Sequence, residues 1–305
     1  MERVIIDCDP SADDGIALLL SLASRELAVE GVTAAAGVAR VGQSTLNGLR
    51  NFCLWNRGGV PAAMGEAHPL CRPLSSSLLY GGKDGMSDTG IPWPRVRPVS
   101  CKAEEFIMGI LEKSREPVSI ISIAPMTNLA RLLEKYPEAA GRIRRIYTAS
   151  GCYGVREGDT AWKQRPSWNI WTDPEAAQAV FASGIPIQAA GVDVTGTFSE
   201  AMADRILAEG NRDNPAFQFF FRAAEYNRNH KLSVFSLLVD AAAVALAVHP
   251  EWFSMHQGSV KVETEGVRRG HTVFCAVPED EGRLSAAGWA DREQFTNFII
   301  ERIFS

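Results

Sequence analysis

Short apolar runs alternate along this chain with stretches of helical period. VIID (4–7) precedes a helical pattern at about 13–24, and VEGVTAAAG (29–37) precedes another at about 43–56. VPAAMG (60–65) reads as a third strand. A helix near 102–114 leads into PVSIISIA (117–124), and TNLARLLEKYP (127–137) follows as a helix. IRRIYTAS (143–150), IPIQAAGVDV (185–194) and GSVKVETEG (258–266) complete the predicted strands. Uniformly apolar strands separated by helices are covered on both faces. The pattern therefore predicts the α/β class: an open, mostly parallel sheet flanked by helices, in one domain over residues 1–305. Right-handed crossovers put the loops after the strands along one edge, where α/β ligand sites lie.

Two segments are longer than a connection needs, at 72–98 and 149–177. Long ordered loops in compact folds often carry function. The second ends at a helix start, with Thr172 or Asp173 as the cap and Pro174 in the first turn.

Composition narrows the function. With 46% hydrophobic residues in 305, the chain can bury a large core. A net charge of −5 without a basic run argues against polymeric nucleic acid as a partner. No apolar stretch reaches the roughly 18 residues of a membrane span, and MERVIID lacks a signal peptide's layout. A soluble, cytoplasmic protein with no membrane partner is expected. Six cysteines without a CxxC pair make a zinc site or disulfide framework improbable, and most are expected to be reduced and buried.

The chemistry concentrates in DCDPSADD. Asp7, Asp9, Asp13 and Asp14 fall within eight positions, where the first strand meets the first helix. Two of them would suit a helix N-terminus electrostatically. Four carboxylates repel one another unless a cation neutralises them, and all-oxygen donors suit a hard ion, Ca²⁺ or Mg²⁺. DxD after an apolar strand also opens phosphohydrolases that use Mg²⁺ and an aspartyl nucleophile. The following ADD does not fit that pattern.

The whole arrangement resembles the inosine-uridine nucleoside hydrolase family, whose opening is typically DxDPGxDD. The resemblance continues through VPAAMGEAHPLCRP (60–73), IAPMTNLA (123–130), NIWTDPEAA (169–177), GVDVT (191–195), VDAAAVALAVHPEWF (239–253) and RGHTVFC (269–275). It implies cleavage of the N-glycosidic bond of a small-molecule ribonucleoside by water held on Ca²⁺. It also implies a homodimer or homotetramer. By position, Asp9, Asp14 and Asp240 would be side-chain calcium ligands, and the backbone carbonyl of Ile123 another. Asp9 would take the water's proton, Asp13 would hold the ribose 2′-hydroxyl, and Asn169 would bind ribose. Asp7 would orient the loop. A non-catalytic nucleoside-binding protein of the same fold, or a Mg²⁺ phosphohydrolase, remain the alternatives.

Several family positions differ here. Ser11 replaces a glycine, which a negative φ would tolerate. Gly37-Val38 lacks an asparagine, GGKDG (81–85) lacks a histidine, and Val239 stands where many members carry the leaving-group acid. Ser167 replaces a glutamate that would bind the 5′-hydroxyl, and Asp159 aligns with an asparagine. The metal and water half is retained, whereas the base and 5′ half is rebuilt. Trp93, Trp162, Trp168 and Trp171 are candidates for stacking a purine-like or modified base. Arg156, Lys163 and Arg165 are candidates for an anionic 5′ group. His230 and Lys231 are candidate replacement acids.

Overall fold

The computed structural model describes residues 1–54, 59–75, 81–94, 96–156, 165–278 and 282–305. Asp159, Trp162 and Lys163 lie outside these. In chain order the elements begin with β1 (Glu2–Cys8), α1 (Ala12–Ala23), β2 (Leu27–Ala34), α2 (Val41–Leu54) and β3 (Ala62–Met64). β4 (Val99–Lys102), α3 (Ala103–Lys113), β5 (Val118–Ser122), α4 (Thr127–Lys135) and β6 (Ile143–Thr148) follow. Then come α5 (Trp168–Thr172), α6 (Pro174–Phe181), β7 (Ile187–Ala189), α7 (Val192–Thr195), α8 (Glu200–Glu209) and α9 (Pro215–Asn229). The chain continues with α10 (Ala241–Val248), β8 (Phe253–Val262), β9 (Thr272–Ala276), β10 (Leu284–Ala290) and α11 (Arg292–Ile299).

The strands form a ten-stranded sheet in the order β4-β3-β2-β1-β5-β6-β7-β10-β8-β9. Pairing is parallel from β4 to β10, and antiparallel for β10 with β8 and β8 with β9. β1 is the point where strand order reverses. Its neighbours β2 and β5 continue in opposite directions, so a crevice opens beyond their carboxyl ends. In register, Asp7 lies opposite both Thr33 of β2 and Ser122 of β5.

Side chains alternate across this sheet. Val4, Ile6 and Cys8 enter one core with α1, α9 and α10, while Ile5 enters the other with α3, α4 and α6. Both faces are thus covered, as the continuous apolar runs require.

The pattern misses some elements. β4, β9 and β10 were not predicted, nor were α8 and α9. LSAAGWA of β10 is built from small residues with little β preference, and its pairing with β7 and β8 overrides that. The strand expected over 185–194 stops at Ala189. Asp193 turns instead into α7, where its carboxylate accepts the backbone amides of Tyr153 at 2.6 Å and Val155 at 2.9 Å. Burial of most cysteines also fails. Cys8 and Cys152 are buried, while Cys53, Cys71 and Cys275 are exposed, although all six are free. No helix among the described residues is long and apolar enough to cross a membrane.

Candidate active site

At the end of β1 the chain turns through Pro10 into α1, and the four N-terminal aspartates take different places. Asp7 is fully buried beneath the turn. Its Oδ1 accepts from Thr33 Oγ1 at 2.6 Å and from Asn128 Nδ2 at 2.7 Å, while Oδ2 has no partner. Asp9, Asp13 and Asp14 line a cavity of about 500 Å³, together with Ile123 and Asp240.

The local backbone aims these groups. Ser11 precedes α1 with φ −108°, so it needs no glycine. Its amide and hydroxyl both donate to Asp14 Oδ2 at 3.0 Å, and its hydroxyl is also bonded to Asp13. Asp14 Oδ1 accepts the Asp9 amide at 3.1 Å. Asp9 Oδ2 accepts the Val38 amide at 2.8 Å. Position 37 must be glycine for this contact, because a Cβ there would collide with the Asp9 carboxylate. Asp240 precedes α10 but its side chain caps nothing, leaving the carboxylate directed at the cluster.

Carboxylate oxygens of Asp13, Asp14 and Asp240 lie within 4.8 Å of one another. No lysine or arginine among the described residues is ion-paired with Asp9, Asp13, Asp14 or Asp240. Burial and mutual repulsion consequently push their pKa values up. Asp14 rises to about 8 through burial and the charge of Asp13. Asp9 and Asp240 are raised well above the usual carboxylate range by burial and the neighbouring aspartates, and Asp13 is raised chiefly by burial. Asp7 rises to about 6 through burial, opposed by its Thr33 and Asn128 hydrogen bonds. Such a cluster of hard donors could hold a cation, which would favour its charged form.

Across the cavity stands the loop before α6. Asn169 Nδ2 donates to the Ile123 carbonyl at 2.7 Å, tying α5 to the end of β5. Ser167 Oγ accepts the Gly151 amide at 2.8 Å. Trp168 and Trp171 stack with centroids 5.4 Å apart, and both line the cavity. The remaining wall includes Arg165, Val192, Leu232, Leu237 and Val239.

A family model for inosine-uridine preferring nucleoside hydrolases matches residues 4–297. This chain belongs to that family. The pyrimidine-specific ribonucleoside hydrolase RihA of Escherichia fergusonii is 35% identical over 310 aligned residues, covering 98% of this chain and 97% of its own. The protein of the same description from Enterobacter sp. (strain 638) is also 35% identical over 310 residues, with the same coverage. Among solved structures, the purine-preferring ribonucleoside hydrolase from Gardnerella vaginalis superimposes with a TM-score of 0.86 at 25% identity, over 99% of this chain and 98% of that one. An inosine-guanosine nucleoside hydrolase shares the fold with a TM-score of 0.84 at 22% identity, over the full length of both chains. This nucleoside hydrolase is accordingly an enzyme of the N-glycosidase class, acting on a small-molecule nucleoside.

In this nucleoside hydrolase the cavity brings together Asp9, Asp13, Asp14, Ile123, Ser167, Trp168, Asn169 and Asp240. It does not include His230. That residue ends α9 with an exposed ring stacked on Tyr226 at 3.9 Å, its Nδ1 bonded to the Tyr226 carbonyl at 2.8 Å. Trp93 is 72% exposed and sits beside Arg50, outside the cavity. Lys231 and Arg156 are also absent from its lining, whereas Arg165 is present. Asp173, rather than Thr172, is the helix cap, accepting the Ala176 amide at 3.1 Å.

Sequence reasoning missed the supports. Asn47 of α2 donates to the carbonyls of Pro10 at 3.0 Å and Asp84 at 2.8 Å, bracing the aspartate turn against the GGKDG loop. Arg50 pairs with Asp84 at 2.9 Å in the same junction. Thr33 and Asn128 hold Asp7. A signal existed only for Asn128, which lies within the family stretch after Ile123.

Proposed function

We propose that the family's reaction runs here on Ca²⁺ held by Asp9, Asp14, Asp240 and the Ile123 carbonyl. The observation that carries this is the unneutralised carboxylate cluster on the cavity floor. Carboxylates of Asp13, Asp14 and Asp240 lie within 4.8 Å of one another, and Asp9 lines the same cavity. Bound there, a hard divalent ion would neutralise the acids and make a water on it more acidic.

Asp9 would take that water's proton. Its second oxygen is already fixed by the Val38 amide at 2.8 Å, so the carboxylate is oriented before substrate arrives. Asp13 would accept the ribose 2′-hydroxyl, and Asn169 would contact the sugar through its amide. Cleavage passes through an oxocarbenium-like state, and the acidic floor favours the positive charge that develops on the sugar. Ser167 and Trp168 would border the 5′-oxygen and the base. The indole pair supports a purine-like or modified base. The relatives' names do not decide the matter, since one is pyrimidine-specific and the other purine-preferring. His230 has no place in this reading. A single domain assembled as a homodimer or homotetramer in the cytoplasm completes it, supported by the resemblance.

The phosphohydrolase alternative requires a reachable Asp7. Instead Asp7 is buried, held by Thr33 and Asn128, and outside the cavity lining. A non-catalytic binding protein is tested by turnover. Free ribose should be released from at least one member of a nucleoside panel, with loss on Asp9→Ala. A chelator should also abolish release, and Ca²⁺ should restore it. Tight nucleoside binding with no release from any member would overturn the proposal.

A further inference from the structure

A side-chain amide has two N–H protons and one oxygen to offer. At Asn169 both protons are engaged. Nδ2 donates to the Ile123 carbonyl at 2.7 Å and to Ser150 Oγ at 3.3 Å. A reversed amide would press its oxygen against the Ile123 carbonyl, so this network settles the orientation. What Asn169 has left for a sugar is Oδ1, which can only accept.

Ser150 carries the complementary group. It is a buried residue just beyond the end of β6, and it lines the cavity. Its oxygen accepts from Asn169, which turns its own proton away from that amide. Accepting one bond also strengthens a hydroxyl as a donor. The backbone around it is fixed on both sides. The Ser150 amide donates to Thr148 Oγ1 at 3.0 Å, and the Ser150 carbonyl accepts the Tyr153 hydroxyl at 3.0 Å. Gly151 follows with φ +91°, a left-handed turn that brings Tyr153 back to Ser150. Tyr153 is held in turn by the buried Asp193, whose carboxylate accepts its amide at 2.6 Å. The Ser150 hydroxyl is thus in place before any ligand arrives, as close recognition requires.

We propose, resting on the hydrolase reading above, that Ser150 is a further substrate-binding residue, whose hydroxyl donates to a ribose hydroxyl beside Asn169. A sugar hydroxyl both gives and takes a hydrogen bond. The pair meets both needs: Ser150 donates to the sugar oxygen, and the sugar proton goes to Asn169 Oδ1. Replacing that hydroxyl by hydrogen leaves both protein groups unmatched. A polar site rejects an analogue for this reason.

The test sets wild type against Ser150→Ala, both loaded with Ca²⁺. Ribose release is first screened on inosine, adenosine, guanosine, uridine and cytidine. For the best of these, kcat/KM is then measured alongside its 2′-, 3′- and 5′-deoxy forms, and a form that is not turned over is read through its inhibition constant. Ser150→Ala should lower the parent's kcat/KM by about 3- to 10-fold, the contribution of one hydrogen bond. One deoxy form should change by less than about 2-fold, because it lacks the hydroxyl that Ser150 holds, while the other two lose as much as the parent. Ca²⁺ affinity should stay within about 2-fold, since Ser150 is not among the proposed ligands. Should Ser150→Ala not fold, Ser150→Gly removes the same hydroxyl and takes its place. A parent loss of less than about 3-fold would overturn the inference. So would an equal loss with the parent and all its deoxy forms, which marks a structural role. Absence of ribose from every nucleoside screened would instead overturn the hydrolase reading beneath it.

Discussion

The Asn169 side-chain amide donates to the Ile123 backbone carbonyl at 2.7 Å. This one bond joins α5, which would face the sugar, to the end of β5, which would face the cation. The carbonyl has a second lone pair, so it can serve a metal while holding Asn169 in place. Asn169→Ala should therefore lose sugar contacts more than metal contacts. We expect kcat/KM to fall about 10- to 100-fold, corresponding to one or two hydrogen bonds near charged groups. Ca²⁺ affinity by calorimetry should change less than about 5-fold, since the remaining ligands stay in place. A larger metal loss than catalytic loss would reverse this assignment.

Gly37 is a steric requirement of the Asp9 carboxylate. A Cβ at that position would strike Asp9, whose Oδ2 is held by the next residue's amide. Gly37→Ala should displace Asp9, cost about 1–3 kcal/mol of stability, and reduce kcat sharply. Gly42 in α2 provides the control, because a Cβ there meets nothing within 4 Å. Gly42→Ala should leave activity unchanged and stabilise the protein by about 0.4–1 kcal/mol. Thermal melts and initial rates on both variants check the pair.

The strong signals in the sequence came from continuous apolar strands and from charges that needed a partner. VIID and VSIIS are central strands because nearly every residue is buried, and their alternation between two cores leaves no other reading. DCDPSADD pointed to a cation site because four carboxylates in eight positions repel one another, and the fold does gather Asp13 and Asp14 with Asp240. The supports were harder to see. Asn47 is one polar residue in a helix, and only the folded chain brings it 37 positions away to Pro10 and Asp84. His230 illustrates the converse: its residue type suited acid catalysis, but stacking on Tyr226 fixes it at the end of its own helix. β10 was illegible because its small residues acquire strand character only from β7 and β8.

Asp7 separates two chemistries cleanly. It lies beneath the site with one oxygen bonded twice and the other without a partner. Asp7→Asn removes a buried charge while keeping the side chain's shape. Stability at pH 8 should change by no more than about 1 kcal/mol, since desolvation no longer opposes a carboxylate and one acceptor remains. Nucleoside hydrolysis should persist, reduced by about 10- to 100-fold, as expected for a residue that only supports metal ligands. Asp9→Ala, by contrast, should abolish it. If Asp7 were a nucleophile toward phosphate, Asp7→Asn would be the inactive variant. Parallel assays of ribose and phosphate release distinguish the two outcomes.

The acidic cluster also fixes how stability depends on pH. In the metal-free protein, Asp14 is raised to about 8, and Asp9 and Asp240 are also raised well above the usual carboxylate range by burial and mutual repulsion. Unfolded aspartates titrate near 3.9, so above that pH the folded state binds more protons than the unfolded state. The stabilising contribution of these groups is therefore fully present below about pH 4 and is lost as pH rises through 8 and beyond. A bound cation reverses the slope, because its carboxylate ligands must be deprotonated and proton competition weakens as pH rises. Melting temperatures with chelator should decline from pH 6 to pH 9, while the increment produced by Ca²⁺ should grow over the same interval. A calcium increment that is constant across this range would show that the aspartates are not its ligands.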